Sequence, residues 1–424
     1  MTNSRKKILF VCSDNFPKYG ANGKMLNNIF CHGLKDRYEI HVLTHKFDLN
    51  DLDDEVIAAV HVHRFFSWFM FPKEKLKSLL KTGRPSVYLN LLAKKIIPKV
   101  KAKYDPGFFM SKDYSDELYE SIKRLDEEYS FDVIVPNLIG YENADAAVRY
   151  KKNHPDSVVI LYQLDPCGDN LLEKPGSAEK RLRFEQFFLE GTDAVITTPI
   201  IKRRYQRVFE SKFSDKTTAM EFPAVEHVAQ NYSYDENRIV CLFTGNIYKK
   251  IRDPRYTLKV FKALNGSGIE LHILGKCDEK IEEELMSGNI IFHGSVPSEK
   301  VTVYTRKANI LVNIGNSMTN QVPSKIFEYI STGKPIINIH KNADCPTLPY
   351  FEKYEYICNV LEKDDLDERD VETVKEFILA NYNKYENNER IVEDYKECTA
   401  SYCASVFEKI IESLIEKHQN ETAI

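Results

Sequence analysis

Short runs of branched aliphatic residues alternate with longer stretches of helical periodicity, and this alternation occurs twice along the chain. In the first half the apolar runs lie at Ile8–Cys12, Ile40–Leu43, Val133–Val135, Val158–Leu161 and Ala194–Thr197. In the second half they lie at Ile239–Thr244, Glu270–Leu274, Ile290–Phe292, Ile310–Ile314 and Pro335–Asn338. Continuous Val, Ile and Leu runs are typical of parallel strands that are buried on both faces of a sheet. The alternation therefore predicts an α/β protein with two doubly wound, Rossmann-like domains.

A polar stretch without clear periodicity, Glu221–Asn237, separates the two halves. The length of 424 residues suits two domains with separate cores. We predict an N-terminal domain at 1–222, a linker at 223–237 and a C-terminal domain at 238–390. The charged stretch from Val371 to Lys417 has helical character, and residues 391–424 are predicted to form a C-terminal helix.

The composition excludes several classes of protein. The net charge of -4 argues against a general nucleic-acid binder, which is usually basic. Nine cysteines are scattered without CxxC spacing, so neither a zinc site nor a disulfide framework is expected. The first residues turn polar too soon for a signal peptide, and no apolar run approaches the roughly 20 residues of a membrane span. We expect a cytoplasmic protein that can rest on the inner face of a membrane.

The most informative motif is the segment QVPSKIFEYISTGKPII, at Gln321–Ile337. Its pattern predicts a loop that ends at Ser324 and a helix from about Lys325 to Ser331. The amino terminus of a helix presents free N–H groups and a partial positive charge, which suits a diphosphate. Lys325 adds a cation there, and Glu328, one turn further along, offers a carboxylate to ribose hydroxyls. The same residues also fit an ordinary capped helix with a solvated lysine and glutamate.

This segment resembles the donor-binding signature of the family 4 retaining glycosyltransferases, whose fold is called GT-B. The close subgroup carries a VPSK-hydrophobic-FEY…GKP pattern, which is matched here from Val322 to Pro335. The resemblance implies that Ser324, Lys325 and Glu328 bind the donor, with Glu328 as the second acid of a Glu-x7-Glu motif. The first acid of that motif is replaced by Asn320. An amide donates and accepts hydrogen bonds, so Asn320 remains a candidate contact of the donor sugar.

Other matches follow in the order of the family. The segment FTGNIYKKIRDP, at Phe243–Pro254, resembles the strand and glycine loop that open the donor domain, with Gly245 at the turn. The resemblance implies a basic residue on the diphosphate. Arg252 is the first choice, because its guanidinium matches phosphate oxygens in a bidentate way, and Lys250 is the second. The alternative is a solvated basic loop.

The turn His293–Val296, with Gly294 and Val296, resembles the backbone that lines the nucleobase pocket of the family, as does Gly275. The alternative is that both glycines merely end strands.

Two segments of the first half also resemble the family. The segment PKYGANGKMLNNI, at Pro17–Ile29, is similar to the glycine loop that faces the donor, where Gly20 permits a close backbone approach. It is not a GxGxxG fingerprint, so a dehydrogenase is poorly supported. In Leu161–Asn170, Asp165 matches the acid or histidine at the acceptor face. Asp165 therefore either orients an acceptor hydroxyl as the candidate catalytic residue or serves as a turn aspartate.

A strongly basic segment lies between Lys73 and Lys103, where ten basic residues stand beside a single acid. Aromatic and aliphatic residues are interleaved with the charges, which is typical of a helix on an anionic membrane. The candidate patch for the membrane or acceptor comprises Trp68, Lys73, Lys75, Lys77, Lys81, Arg84, Lys94, Lys95 and Lys99. The alternative is a set of ordinary surface helices with their apolar faces inward.

The resemblance implies two domains that face each other across a cleft, with the donor mainly on the second and the acceptor mainly on the first. It also implies that the C-terminal helix returns to the first domain. The implied activity is transfer of a hexosyl or other sugar, with retention, from a UDP- or GDP-linked donor to a saccharide or lipid-linked acceptor. We expect a role in surface polysaccharide or glycoconjugate biosynthesis and no nucleic-acid partner.

No Asp-x-Asp metal motif stands at a predicted strand end, and the run Asp51–Asp54 is expected to be a solvated loop. No metal or cofactor is therefore expected. The helix dipole, Lys325 and Arg252 would instead stabilise the departing diphosphate. Two alternatives stay open: a nucleotide-sugar epimerase or hydrolase on the same fold, and a non-catalytic partner subunit that retains the fold.

Overall fold

The computed structural model describes residues 5–13, 16, 21–48, 50–70, 110–138, 140–165, 178–247, 251–277 and 287–422. The described residues fall into two compact units. The first unit comprises those up to 165, residues 178–223 and residues from 400 onward. The second unit lies within 224–399.

The first unit is built on an eight-stranded sheet. Its strands are β1 (Lys6–Val11), β2 (Tyr38–His45), β3 (Asp54–Ile57), β4 (Val60–Phe65), β5 (Val133–Pro136), β6 (Val158–Gln163), β7 (Ala194–Thr197) and β8 (Thr217–Ala219). The order is β3-β4-β2-β1-β5-β6-β7-β8. Only β3 pairs antiparallel with its neighbour among the described strands. The order reverses between β1 and β5, which creates a switch point at the carboxyl edge of the sheet.

Helices connect these strands. They are α1 (Ala21–Ile29), α2 (Lys112–Tyr129), α3 (Tyr141–Asn153), α4 (Ala178–Glu190) and α5 (Pro199–Val208). A π-helical turn at Phe30–Leu34 and a short turn at Lys35–Arg37 extend α1 to the start of β2. Ser111 caps α2, since its side chain accepts a hydrogen bond from the amide of Tyr114.

The second unit has a six-stranded, fully parallel sheet. Its strands are β9 (Ile239–Thr244), β10 (Ile269–Leu274), β11 (Ile290–Gly294), β12 (Ile310–Ile314), β13 (Ile336–His340) and β14 (Ile357–Leu361). Its helices are α6 (Arg255–Ala263), α7 (Ser298–Lys307), α8 (Lys325–Thr332), α9 (Leu348–Phe351), α10 (Glu368–Asn381) and α11 (Asn388–Asp394). The order β11-β10-β9-β12-β13-β14 is that of a Rossmann sheet, with its switch point between β9 and β12.

The tail helix α12 (Ala400–Thr422) belongs to the first unit. Phe407 is fully buried there, with its ring centroid 6.0 Å from that of Phe10 and 5.2 Å from that of Tyr162. The sequence-based bounds placed 391–399 with this helix, but α11 and the following turn lie in the second unit. The helical tail is thus divided into separate helices.

Residues 224–237, assigned to a linker from their polar composition, are part of the second unit. The side-chain amide of Gln230 donates to the carbonyl oxygens of Thr332 (3.1 Å) and Glu386 (2.6 Å). The ammonium of the buried Lys334 lies 3.7 Å from the ring centroid of Tyr232 and 4.5 Å from that of Tyr234. A polar, aperiodic sequence is therefore held by hydrogen bonds and cation–π contacts.

Every apolar run in the sequence analysis forms a strand, which confirms the predicted α/β architecture. These runs predict strands correctly because their residues are buried on both faces of the sheet, as in β5, β6 and β7. Strands β3, β4, β8 and β14 were not predicted. No residue of β3 is fully buried, and buried and accessible residues alternate along β14, so neither leaves a continuous apolar run. The run Asp51–Asp54 was predicted to be a loop, but Asp54 begins β3. No helix among the described residues is long and apolar enough to cross a membrane.

Candidate functional site

Three strands of the second sheet end side by side in glycines. Gly245, Gly275 and Gly294 follow or close β9, β10 and β11, and all three have positive φ angles, of 151°, 146° and 68°. The amide of Gly245 donates to Leu274 O (2.8 Å), and that of Gly275 donates to Gly294 O (2.9 Å). A Cβ at Gly275 would overlap the carbonyl oxygen of Gly245. These strand ends therefore need glycine and present bare backbone at the carboxyl edge.

Gly294 borders open space, because a Cβ placed there would meet no described atom within 4 Å. Val296 lies two residues further on and is half-buried. A backbone turn beside open space has room for a flat ligand, and the nucleobase pocket at this turn stays a prediction.

Arg252 lies at the switch point of the second sheet. Its Nη1 donates to the carbonyl oxygen of Asn246 (3.3 Å), and its Nη2 donates to Oδ1 of Asn316 (3.0 Å). Asn246 follows β9 and Asn316 follows β12, so the guanidinium connects the two loops between which the strand order reverses. The guanidinium carbon of Arg252, Cζ, lies 5.7 Å from the ring centroid of Phe243. The ordered position of this cation fits an anion site better than the alternative of a solvated basic loop.

The loops after β9 and β12 are also joined through their backbones. The amide of Ser317 donates to the carbonyl oxygen of Ile251 at 2.6 Å. Asn316 was not singled out by the sequence because it acts through Arg252, 64 positions earlier. An asparagine just past a predicted strand at the switch point is the signal that could have identified it.

Helix α8 begins at the predicted residue, with Ser324 as its N-cap and without a side-chain capping hydrogen bond. The ammonium of Lys325 lies 2.6 Å from Oε2 of Glu328, and the two side chains are 34% and 32% exposed. This ion pair offsets the unfavourable position of a lysine in the first turn of a helix. An accessible ion pair contributes about 0–1 kcal/mol to stability. A bound anion at Lys325 and a ribose at Glu328 can therefore replace this pair at little cost in free energy.

A buried hydrogen bond fixes α8 against the end of β9. The amide of Thr244 donates to the hydroxyl oxygen of Tyr329 at 2.8 Å, and the Thr244 hydroxyl lies 3.0 Å from the same oxygen. Burial raises the pKa of Tyr329 to about 12, so its hydroxyl stays neutral. Glu328 is therefore held one residue from a fixed contact with the glycine edge.

Asn320 precedes α8 in the loop after β12. Its Oδ1 is buried and has no hydrogen-bond partner among the residues that the structure describes. Buried polar atoms in proteins are nearly always paired. An acceptor left over beside the helix amino terminus is compatible with a donating hydroxyl of a bound sugar.

In the first unit, Asp165 lies two residues beyond β6 and is half-buried. Its carbonyl oxygen accepts a hydrogen bond from the Gln163 amide at 2.9 Å. The hydroxyl of Tyr205 donates to Gln163 and lies 3.1 Å from Oε1 of Glu185, whose Oε2 pairs with Arg204 at 2.7 Å. A buried ion pair thus supports the backbone that carries Asp165. Sequence reasoning missed this network, whose members are far apart along the chain.

A second polar group lies where β1 and β5 end. The hydroxyl of Ser13 lies 3.0 Å from Oδ1 of Asn143, whose Nδ2 donates to the carbonyl oxygen of Asn137 at 2.9 Å. Both polar side-chain atoms of Asn137 are buried without a partner among the described residues. This group occupies the switch point of the first sheet.

Several predicted site residues lie outside the described residues. They are Gly20, Lys250, Lys73, Lys75, Lys77, Lys81, Arg84, Lys94, Lys95 and Lys99. Trp68 is described, and its side chain is 80% exposed.

Comparison with solved structures identifies the fold. Sucrose-phosphate synthase from Thermosynechococcus elongatus matches with a TM-score of 0.64 and 14% identity, over 99% of this chain and 100% of that chain. Anabaena HepE in complex with UDP matches with a TM-score of 0.56 and 11% identity, over 98% and 100%. A Listeria monocytogenes protein described as a UDP-N-acetylglucosamine 2-epimerase matches with a TM-score of 0.57 and 10% identity, over 98% of each chain. The chain therefore has the GT-B fold, as predicted.

A family comparison gives a narrower assignment for part of the chain. Residues 238–348 match the model of the family "Glycosyl transferases group 1". No curated protein matches the sequence. The matched segment contains the three glycines, Arg252, Asn316, Asn320 and the whole of α8, so it coincides with the candidate site of the second unit.

Proposed function

We propose that this protein is a glycosyltransferase that moves a sugar from a UDP- or GDP-linked donor to a saccharide or lipid-linked acceptor. The observation that carries the proposal is the convergence of Arg252, the amino terminus of α8 and three strand-end glycines within a segment that matches a glycosyltransferase family. Arg252 and Lys325 bind the diphosphate together with the first turn of α8. Glu328 accepts hydrogen bonds from the ribose, and the turn at Gly294 and Val296 borders the base.

In the proposed reaction an acceptor hydroxyl oxygen bonds to the anomeric carbon of the sugar. The bond from that carbon to the diphosphate oxygen breaks, the nucleoside diphosphate leaves with the bonding electrons, and the hydroxyl proton is released. Negative charge grows on the diphosphate as the bond breaks, and Arg252, Lys325 and the helix dipole stabilise it without a metal. Retention of configuration is part of the proposal through the family resemblance, and no side chain is assigned as a nucleophile.

The acceptor is assigned to the first unit. Asp165 is the candidate residue that orients its hydroxyl, supported by Gln163 and the buried pair of Glu185 and Arg204. The proposed setting is surface polysaccharide or glycoconjugate assembly in the cytoplasm, at the inner face of the membrane.

Nucleotide-sugar turnover tests the proposal. The full chain is incubated with UDP-hexoses, UDP-N-acetylhexosamines and GDP-hexoses, with and without saccharide and lipid-linked acceptors, while released nucleoside diphosphate is measured. Release that requires an acceptor, with a new glycosidic product, supports the transferase. Acceptor-independent release or epimerised sugar points to the hydrolase or epimerase alternative, which shares the fold of the Listeria monocytogenes protein. Absence of both binding and release points to a non-catalytic subunit.

Membrane association gives a separate prediction, since Trp68 is exposed and stands next to the basic segment. It is the only tryptophan of the chain, so its fluorescence reports on this region alone. We expect a blue shift with anionic vesicles at low salt, because each basic residue near such a surface contributes about 1 kcal/mol. The shift should disappear with neutral vesicles, at high salt, and in a Lys75→Glu, Lys77→Glu, Lys81→Glu variant. An unchanged spectrum with anionic vesicles would favour ordinary surface helices.

A further inference from the structure

One face of the first sheet carries a cluster of histidines and carboxylates that the proposed transfer reaction does not use. Glu39 and His41 share a face of β2, because side chains two residues apart on a strand point the same way. His61 and His63 lie in the same relation on the neighbouring β4. His41 and His61 are register partners, and their rings stack at 4.7 Å with an interplanar angle of 11°.

Three of these side chains can share an ion. Glu39, His41 and His61 each offer one ligand atom, and these atoms all lie within 4.8 Å of one another. Nε2 of His41 lies 2.9 Å from Oε1 of Glu39. Two imidazole nitrogens and one carboxylate oxygen form a ligand set suited to Zn²⁺ and to similar borderline divalent ions.

A hydrogen-bond chain behind His41 sets its tautomer. Nδ1 of His63 lies 2.6 Å from Oδ1 of Asp54, and a carboxylate only accepts, so His63 carries its proton on Nδ1. Nε2 of His63 then accepts from Nδ1 of His41 at 2.8 Å. The remaining lone pair, on Nε2 of His41, faces the carboxylate of Glu39. Two acceptors this close repel each other unless a cation lies between them, either a metal ion or a second proton on His41.

We propose that Glu39, His41 and His61 bind a divalent ion of the zinc class, with His63 and Asp54 holding His41 in the ligating tautomer. A ligating histidine characteristically donates its other ring N–H in this way. Bonds of about 2.0–2.2 Å in a tetrahedral arrangement require the three ligand atoms to move to roughly 3.4 Å from one another. His61 is partly exposed, so its ring can turn out of the stack to point at the ion.

The surroundings favour a closed, structural site. His41 is fully buried, and the rings of Tyr129 and Phe131 lie 4.5 Å and 5.0 Å from its own. Lys7 is the register partner of Glu39, and its ammonium donates to the carbonyl oxygen of Tyr129 at 3.0 Å. The ion would fasten β4 to β2 through side chains in the amino-terminal halves of both strands, away from the carboxyl edge near Asp165. It is thus separate from the proposed chemistry, and it departs from the expectation, drawn from the scattered cysteines and the lack of an Asp-x-Asp motif, that the protein holds no zinc or other metal.

Zinc binding by the full chain tests this site. After treatment with EDTA and its removal, the parent protein is titrated with Zn²⁺ in a calorimeter, and the bound metal is counted after equilibrium dialysis. We expect one tight equivalent in the parent and its loss in His61→Ala and Glu39→Gln. Asp54→Asn should retain the equivalent with an affinity about 10- to 100-fold weaker, because only the support of His41 is removed.

His272→Ala provides the matched control. Nε2 of His272 lies 3.0 Å from Oε2 of Glu270, and its Nδ1 lies 3.2 Å from His293, so the second sheet carries a similar Glu-x-His pair. This variant should bind zinc like the parent. A parent that binds no zinc, an equivalent that persists in His61→Ala and Glu39→Gln, or one that His272→Ala removes would each overturn the proposal. Circular dichroism of the variants separates loss of the ligand from loss of the fold.

Discussion

Arg252→Ala is expected to weaken the binding of UDP or GDP roughly 100-fold. The guanidinium would donate two charge-assisted hydrogen bonds to the diphosphate, and bonds of this kind contribute about 1.5 kcal/mol or more each, which corresponds to a factor of that size. Arg252→Lys should recover only part of the affinity, because an ammonium cannot span two phosphate oxygens. Isothermal titration calorimetry of each variant measures the effect.

Arg255→Ala is the control, because it removes a cation from the same basic run. Arg255 pairs with Asp253, with Nε 2.9 Å from Oδ1, and is not assigned to the donor. Its removal should leave diphosphate affinity within about twofold of the parent, since the Arg255 side chain is half exposed and its charge is already paired with the buried Asp253. Equal losses in Arg252→Ala and Arg255→Ala would mean that general charge, and not a positioned guanidinium, attracts the ligand.

Glu328→Ala is expected to weaken the binding of nucleotides without weakening the binding of inorganic pyrophosphate. Loss of a carboxylate that accepts ribose hydroxyls should weaken UDP or GDP binding about 10-fold or more. Pyrophosphate has no ribose, and the variant also releases Lys325 from its ion pair, so pyrophosphate should bind as well as before or more tightly. Calorimetry with both ligands, and circular dichroism as a folding control, measures the contrast.

Asn320→Ala distinguishes the sugar contact from the ribose contact. The Oδ1 of Asn320 has no described partner to lose, so both the fold and the affinity for free UDP or GDP should be nearly unchanged. Transfer from the nucleotide sugar should fall.

If Glu328→Ala weakens UDP and pyrophosphate alike, the carboxylate does not bind the ribose and the assignment of α8 is wrong.

The sequence predicts the two sheets well because doubly buried parallel strands leave continuous Val, Ile and Leu runs. It predicts the edges poorly. Strand β4, VHVHRF, which pairs with the edge strand β3, buries His63 and Arg64 through hydrogen bonds and ion pairs, which its composition does not reveal. The tail reads as one helical stretch, but its periodicity does not mark the turns at Tyr382–Asn387 and Tyr395–Thr399.

The candidate site was likewise predictable only in part. Motifs that are local in sequence, such as the helix from Lys325 and the glycine turns, could be predicted from spacing. Contacts between distant segments, such as that of Arg252 with Asn316, could not, because they depend on strand order. The pairing of Lys325 with Glu328 was predictable from their three-residue spacing, since such residues are neighbours on a helix. The two-residue spacing in Glu39-x-His41 and in His61-x-His63 likewise predicts that each pair shares one face of a strand. Only the pairing register of β2 with β4 shows that the two pairs are neighbours.

We propose that the carboxyl edge of the second sheet binds a nucleoside diphosphate through Arg252, Lys325 and the start of α8, without a bridging metal. Calorimetric titration of the parent protein with UDP and with GDP, in EDTA and separately in Mg²⁺ or Mn²⁺, tests it most directly. We expect at least one of the two nucleotides to bind, with the same dissociation constant in EDTA as in the metal buffers. Binding that appears only with Mg²⁺ or Mn²⁺, or no binding of either nucleotide in any buffer, would contradict it.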